Sequence, residues 1–151
     1  MIVNCSGLGA RELTGEHSVT PARGQQVVTN NPGIEEFFID APFAEEWTAY
    51  WPYPDHVILG GSSRPGDTPI EPDLDLAERI VSRCAEVEPR LHDAQILGHQ
   101  VGLRPTRPTP RLEAEPIGTA RCVHSYGHGG SGVTHSWGAA LDAAHLLLES
   151  A

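Results

Sequence analysis

Apolar residues come along this chain in short runs, and most runs stop at glycine or proline. Residues 1–5 (Met-Ile-Val-Asn-Cys) form the first run and break at Ser6-Gly7-Leu8-Gly9, which predicts a strand entering a glycine turn. A strand of this buried type needs neighbours on both sides. Further strands are predicted over 25–29, stopped by Asn30-Asn31-Pro32-Gly33, and over 34–40, 47–50 and 56–59, the last ended by Gly60-Gly61. The short separations favour antiparallel pairing. Residues 73–87 carry a helical period: Leu74, Ala77, Ile80, Val81 and Cys84 share one face, with Asp73 placed to cap and Pro89 to stop the helix. A strand follows over 95–103. Pro105, Pro108 and Pro110 then exclude helix and predict that any sheet pairing there is confined to an edge. The chain closes with a strand over 119–126, a glycine loop over 127–132 and an amphipathic, Ala/Leu-rich helix over 133–149. The pattern predicts an α+β fold: an antiparallel or mixed sheet followed by a strand–glycine loop–helix unit.

Charge narrows the classes of partner. The 151 residues hold 20 acidic and 10 basic side chains, a formal charge of −10, and every basic residue is arginine. This balance argues against nucleic acid and against an anionic membrane surface, both of which select basic patches. No apolar run approaches the roughly 18 residues of a spanning helix, and residues 1–10 lack the pattern of a secretory signal. Cys5, Cys84 and Cys122 are odd in number and widely spaced, which speaks against a disulfide framework or zinc site and for a reduced, cytoplasmic setting.

The candidate chemistry centres on Gly127-His128-Gly129-Gly130-Ser131-Gly132. It satisfies G-x-G-x-x-G between a predicted strand and a predicted helix. The dinucleotide fingerprint also needs a second strand and an acidic residue about 20 positions on. The sequence ends at Ala151 before either, so the expectation is a glycine loop at a helix N-terminus. Its free amides would favour an anionic or electron-rich group; a tight turn without ligand is the alternative. In Gly102-Leu103-Arg104-Pro105-Thr106-Arg107-Pro108, prolines stiffen an arginine suited to bidentate carboxylate binding, although the residues alone read more simply as surface arginines in a connector. Tyr50-Trp51-Pro52-Tyr53-Pro54 could line a pocket, but packing is the plainer reading. The eight histidines show no helical H-x-x-x-H pair with a carboxylate, so no metal site is expected. Cys5 is expected to be buried and inert.

Taken in order, Val3-Asn4-Cys5-Ser6-Gly7, Arg23-Gly24-Gln25, Leu59-Gly60-Gly61, the Arg104 motif, His124-Ser125-Tyr126-Gly127-His128-Gly129-Gly130-Ser131-Gly132-Val133-Thr134 and Trp137-Gly138 resemble the FAD-dependent D-amino-acid oxidases. The D-aspartate oxidases share most of these motifs. The resemblance implies that Arg104 grips the substrate α-carboxylate and that Tyr50 donates its hydroxyl to the same group. It implies that the Gly130 carbonyl accepts from the substrate amine. Gly129, Gly130, Gly132, Val133 and Thr134 would meet the flavin ring, and Ser6 would contact the cofactor. No residue is implied as catalytic acid or base. The implied reaction oxidises a D-amino acid, with FAD as cofactor and molecular oxygen as acceptor, to a 2-oxo acid, ammonia and hydrogen peroxide.

Members of that family open with a strand and glycine turn that bind the ADP half of FAD, and no counterpart is found here. The chain is therefore expected to be a C-terminal half, inactive alone. Residues 1–10 and 112–151 would belong to the FAD-binding domain and 11–111 to the substrate domain. An N-terminal half or a second copy is the expected protein partner. A D-aspartate oxidase fragment, or a non-catalytic small-ligand module, is the alternative.

Overall fold

The computed structural model of the chain describes residues 1–40 and 44–148. In chain order its elements are β1 (Ile2–Asn4), α1 (Ala10–Thr14), β2 (Thr20–Asn30), β3 (Phe38–Asp40), β4 (Glu46–Pro52), β5 (His56–Ser62), β6 (Arg64–Pro65), α2 (Leu74–Val87), β7 (Ile96–Ile117), β8 (Ala120–His128) and α3 (Gly132–Leu148). Two compact units result: Met1–Ala22 with Arg104–Ala151, and Arg23–Leu103. The chain crosses between them inside β2 and inside β7.

In the Arg23–Leu103 unit the antiparallel order is β2-β5-β4-β3, and α2 covers one face. Leu76, Ala77, Ile80 and Cys84 of α2 are buried against Val27, Tyr50, Val57 and Leu59. Leu74, counted on that face from the sequence, sits in the first turn and is exposed. The cap is as expected: Asp73 Oδ1 accepts from the Leu76 amide at 3.0 Å. Buried Arg23 and Gln25 hold the segment leading into α2. Arg23 donates to the carbonyls of Pro69 and Glu71, and Gln25 donates to that of Asp73. These bonds satisfy backbone groups that a loop would otherwise leave unpaired.

Several strand limits differ from expectation; β2, predicted over 25–29, spans Thr20–Asn30. The strand predicted over 34–40 shrinks to β3, because Asn31 Oδ1 accepts from the amides of Gly33 and Ile34 and fixes a turn there. β5 runs through Gly60-Gly61 instead of ending at them. The indoles of Trp47 and Trp51 lie over these glycines, where a Cβ on Gly60 would come 2.9 Å from Trp51 Cζ3. β7 continues through its prolines as an inner strand, with β8 on one side and β2 on the other, so the edge expectation is corrected. Its register against β8 breaks between Thr106 and Arg111, and Pro108 and Pro110 fall inside that break.

In the other unit, β8 lies between β1, which it pairs in parallel, and β7, which it pairs antiparallel. A small core of Ala10, Val19 and Tyr126, with Leu8, packs beside it. Among the described residues β1 has a partner on one side alone, and Met1, Ile2 and Val3 are exposed. Cys5 is exposed as well, not buried as expected, because it follows this uncovered strand. The predicted closing helix forms, although Glu149 lies outside the described residues. Its apolar stripe faces outward: Val133 and Trp137 are each 89% exposed, and Leu141 and Leu148 continue the line.

Glu46 joins β4 to α2 electrostatically. It accepts from Arg79 at 2.8 Å and Arg83 at 2.6 Å, with Arg64 at 3.7 Å. The Arg79 hydrogen bond, with Arg83 adding and burial opposing, brings its pKa down to about 2. A carboxylate whose pKa is depressed by folding contributes stability above its unfolded value, and that contribution is lost as pH falls toward the folded one. Glu46→Gln should therefore lower stability at pH 7 by on the order of 1–2 kcal/mol and flatten the decline between pH 4.5 and 2. Denaturant unfolding across that pH range checks both; an unchanged acid slope would contradict the assignment.

Candidate active site

Because β1 and β8 are parallel, both strands end at the same end of their unit. Ser6 and a 3-10 turn, Gly7–Gly9, follow β1; a second 3-10 turn, Gly129–Ser131, and then α3 follow β8. Loops beyond the carboxyl ends of parallel strands are where ligands bind in sheets with such connections. β7 runs the other way and brings Thr106 opposite His128, so Arg104 and Pro105 reach the same end. A Cβ on Gly7 would lie 3.5 Å from Pro105 Cγ, which shows how closely the Ser6 turn and the arginine motif approach.

Arg104 lies along Gly130. A Cβ at Gly130 would come 3.3 Å from Arg104 Cδ and 3.4 Å from Nε, so glycine leaves the path the arginine side chain takes. Arg104 is half-buried, and burial lowers its pKa from the ordinary arginine value. A guanidinium drawn partly out of water gains more from an anionic partner than an exposed one does. The structure thus brings together two of the residues implied for substrate. Gly129 precedes Gly130 in the same turn, and Gly132, Val133 and Thr134 open α3, where N–H groups lack intrahelical acceptors. Gly127 has φ +86°, and a Cβ there would come 2.8 Å from Arg107 Cβ. Both conditions call for glycine at the point where β8 gives way to the loop.

Ser6 Oγ is buried and finds no hydrogen-bond partner among the described residues. A buried, unpaired hydroxyl is costly unless something else satisfies it, which suits a cofactor contact. The backbone that carries it is fixed by Asn4. Asn4 Oδ1 accepts from the Ser6 amide at 3.1 Å, and Asn4 Nδ2 lies 3.1 Å from His124 Nδ1. His124 is fully buried and sits opposite Asn4 in the β1–β8 register. Its Nε2 is 2.9 Å from Glu115 Oε1, a close approach that is not an aligned hydrogen bond. His124, with Arg111 adding and burial opposing, holds the Glu115 carboxyl below its usual range. Arg111 donates to Glu115 at 2.9 Å and to the Tyr126 hydroxyl at 2.7 Å. Asn4, His124, Glu115 and Arg111 carry no expected role from the sequence, although Asn4 and His124 fall inside the motifs of the resemblance. Two signals for them exist: Asn two residues before Ser is an Asx-turn pattern, and Arg111, Glu113 and Glu115 alternate onto one strand face.

Tyr50 belongs to the other unit. Its ring is buried in the core with Val57, Leu59 and Ile80 and stacks on Phe38 at 5.7 Å. Burial, with Glu88 adding, raises the pKa of its hydroxyl.

The profile of the DAO family, FAD-dependent oxidoreductases, matches residues 1–146, and the chain belongs to that family. Over 147 residues it is 49% identical to a D-amino-acid oxidase of Rubrobacter xylanophilus, covering 97% of this chain and 45% of that protein. It is 41% identical over 153 residues to a human D-aspartate oxidase, covering 99% of this chain and 44% of that one. A glycine oxidase from Geobacillus kaustophilus has the same fold, with a TM-score of 0.83 at 22% identity over 99% of this chain and 42% of that one. The chain spans about half the length of the curated relatives it matches. The unpaired Ser6 hydroxyl and the glycine opening of α3 fit the FAD on which the family depends.

Gly127→Ala should cost about 1–3 kcal/mol, since it adds both a left-handed strain and a clash. Thermal unfolding measures this, and a loss below half a kcal/mol would mean that the turn relaxes freely.

Proposed function

We propose that this chain forms the substrate-carboxylate and flavin-ring side of a D-amino-acid oxidase. The observation that carries the reading is Arg104 laid along Gly130, at the loop end shared with Ser6 and the start of α3. FAD, when bound, supplies the two-electron acceptor and passes the electrons to oxygen, giving hydrogen peroxide. Arg104 holds the α-carboxylate through charge-assisted N–H donors. The Gly130 carbonyl accepts from the amine, and these two contacts orient Cα–H without a protein base. The opening amides of Gly132, Val133 and Thr134 and the dipole of α3 would favour negative charge on a flavin ring held beside them. The imino acid released hydrolyses to a 2-oxo acid and ammonia. Burial of Tyr50 in the α2 core favours packing for that residue over a carboxylate contact.

The domain assignment follows the same reading: residues 1–10 and 112–151 on the FAD side and 11–111 on the substrate side. The outward stripe of Val133, Trp137, Leu141 and Leu148 on α3 and the exposed β1 are the surfaces that the unmatched remainder of such an oxidase would cover.

The chain co-expressed with a complementary N-terminal half should bind FAD and release peroxide from D-alanine; no peroxide from any D-amino acid would refute the reading. D-aspartate oxidised ahead of D-alanine would replace it with the D-aspartate oxidase reading. In the active pair, Arg104→Ala should raise KM roughly ten- to hundredfold. An unchanged KM would remove Arg104 as the clamp. Val133→Ser with Trp137→Ser should make the isolated chain less prone to self-association in sedimentation and weaken pairing with the other half. Unchanged behaviour in both would show that the stripe is not an interface.

A further inference from the structure

The Ser6 turn is held by a relay of polar contacts with a defined direction. Ser6 N–H donates to Asn4 Oδ1 at 3.1 Å, which commits the other end of that amide, Nδ2, to face His124 Nδ1 at 3.1 Å. An amide nitrogen can only donate, so Nδ1 must accept and the ring proton must sit on Nε2, beside the Glu115 carboxylate at 2.9 Å. Arg111 pins Glu115 from its other oxygen at 2.9 Å, and Tyr126 packs edge-on against the imidazole with ring centroids 5.7 Å apart. Every link lies in the Met1–Ala22 and Arg104–Ala151 unit. If His124 turned Nδ1–H toward Asn4, the amide would have to flip to accept it. Its NH2 would then oppose the Ser6 N–H, and the turn would lose its anchor.

We propose that His124, as the Nε2–H tautomer and acting through Asn4, is the positioning residue that presents the buried Ser6 hydroxyl to the cofactor. This rests on the reading of Ser6 as a cofactor contact. His124 touches neither cofactor nor substrate; its effect passes entirely through the Asn4 amide. What matters is the acceptor at the Nδ1 position, not the volume of the ring or the link to Glu115.

That separates this role from packing by the order of three variants. His124→Asn restores an acceptor near Nδ1. His124→Gln reaches the Nε2 position alone, and His124→Phe keeps the volume without polarity. Hydrogen exchange of the Ser6 amide, followed by NMR in the 151-residue chain without FAD, should accelerate on the order of tenfold or more in the Gln and Phe variants and stay within about threefold of wild type in the Asn variant. Amides of the β7–β8 ladder serve as the folding control. A packing role predicts the reverse order, with Phe nearest wild type, and that result would overturn the proposal. Ring 15N shifts of the unaltered chain give a test that needs no variant: an Nδ1–H tautomer of His124 would overturn it too. With the complementary half supplied, FAD affinity should follow the same order as Ser6 exchange. If exchange follows the order and FAD affinity does not, the cofactor part of the proposal is wrong. If unaltered chain and complementary half bind no FAD, the reading of the function fails instead, while the exchange result still decides the role of His124 in the turn.

Discussion

The parallel pairing of β1 with β8, in the register that sets Asn4 against His124, is the constraint on which the candidate site depends. Parallel strands leave their sheet at the same end, so this one pairing brings the Ser6 turn and the glycine loop together. A slip of one residue would turn Asn4 to the opposite face and break its contact with His124. β7, antiparallel to β8, then has to deliver Arg104 to that end. Pro108 and Pro110 of β7 fall in the irregular stretch between Thr106 and Arg111, which lets the strand remain inner without demanding amide donors there.

The site that results combines one partly buried cation, carbonyl and amide groups of a glycine-rich loop, and a helix N-terminus. These are groups that bind and orient. Glycine is used at two points for different reasons. At Gly127 the backbone turns into the left-handed region, and at Gly130 the missing side chain gives Arg104 its path.

Local signals in the sequence account for most of the elements. The helical period with Asp73 ahead of it marked α2, and the strand–glycine–helix order marked the close of the chain. What was missed arose from contacts between distant residues. Gly60-Gly61 reads as a strand end until Trp47 and Trp51 are seen to lie over it. Leu74 fits the apolar period of α2 but sits at its first residue, where its side chain is exposed. Cys5 looks like a core residue, and only the uncovered state of β1 shows why it is exposed. For the site, Arg104 and the glycine loop were legible as motifs, yet their adjacency depends on the β7–β8 register. The first two members of the Asn4–His124–Glu115 relay are 120 residues apart in sequence, so the local patterns around each member do not show that they meet. The aromatic run around Tyr50 reads as packing, whereas the resemblance implies a carboxylate contact; its ring packs in the α2 core.

The most direct measurement is a crystal structure of the chain with its complementary half and FAD. Ser6 Oγ should then lie within hydrogen-bond distance of the cofactor, with the opening amides of α3 directed at the flavin ring and the Arg104 guanidinium facing the adjoining substrate space. FAD bound elsewhere, with Ser6 Oγ still unpaired and Arg104 turned away from the ring, would contradict this arrangement.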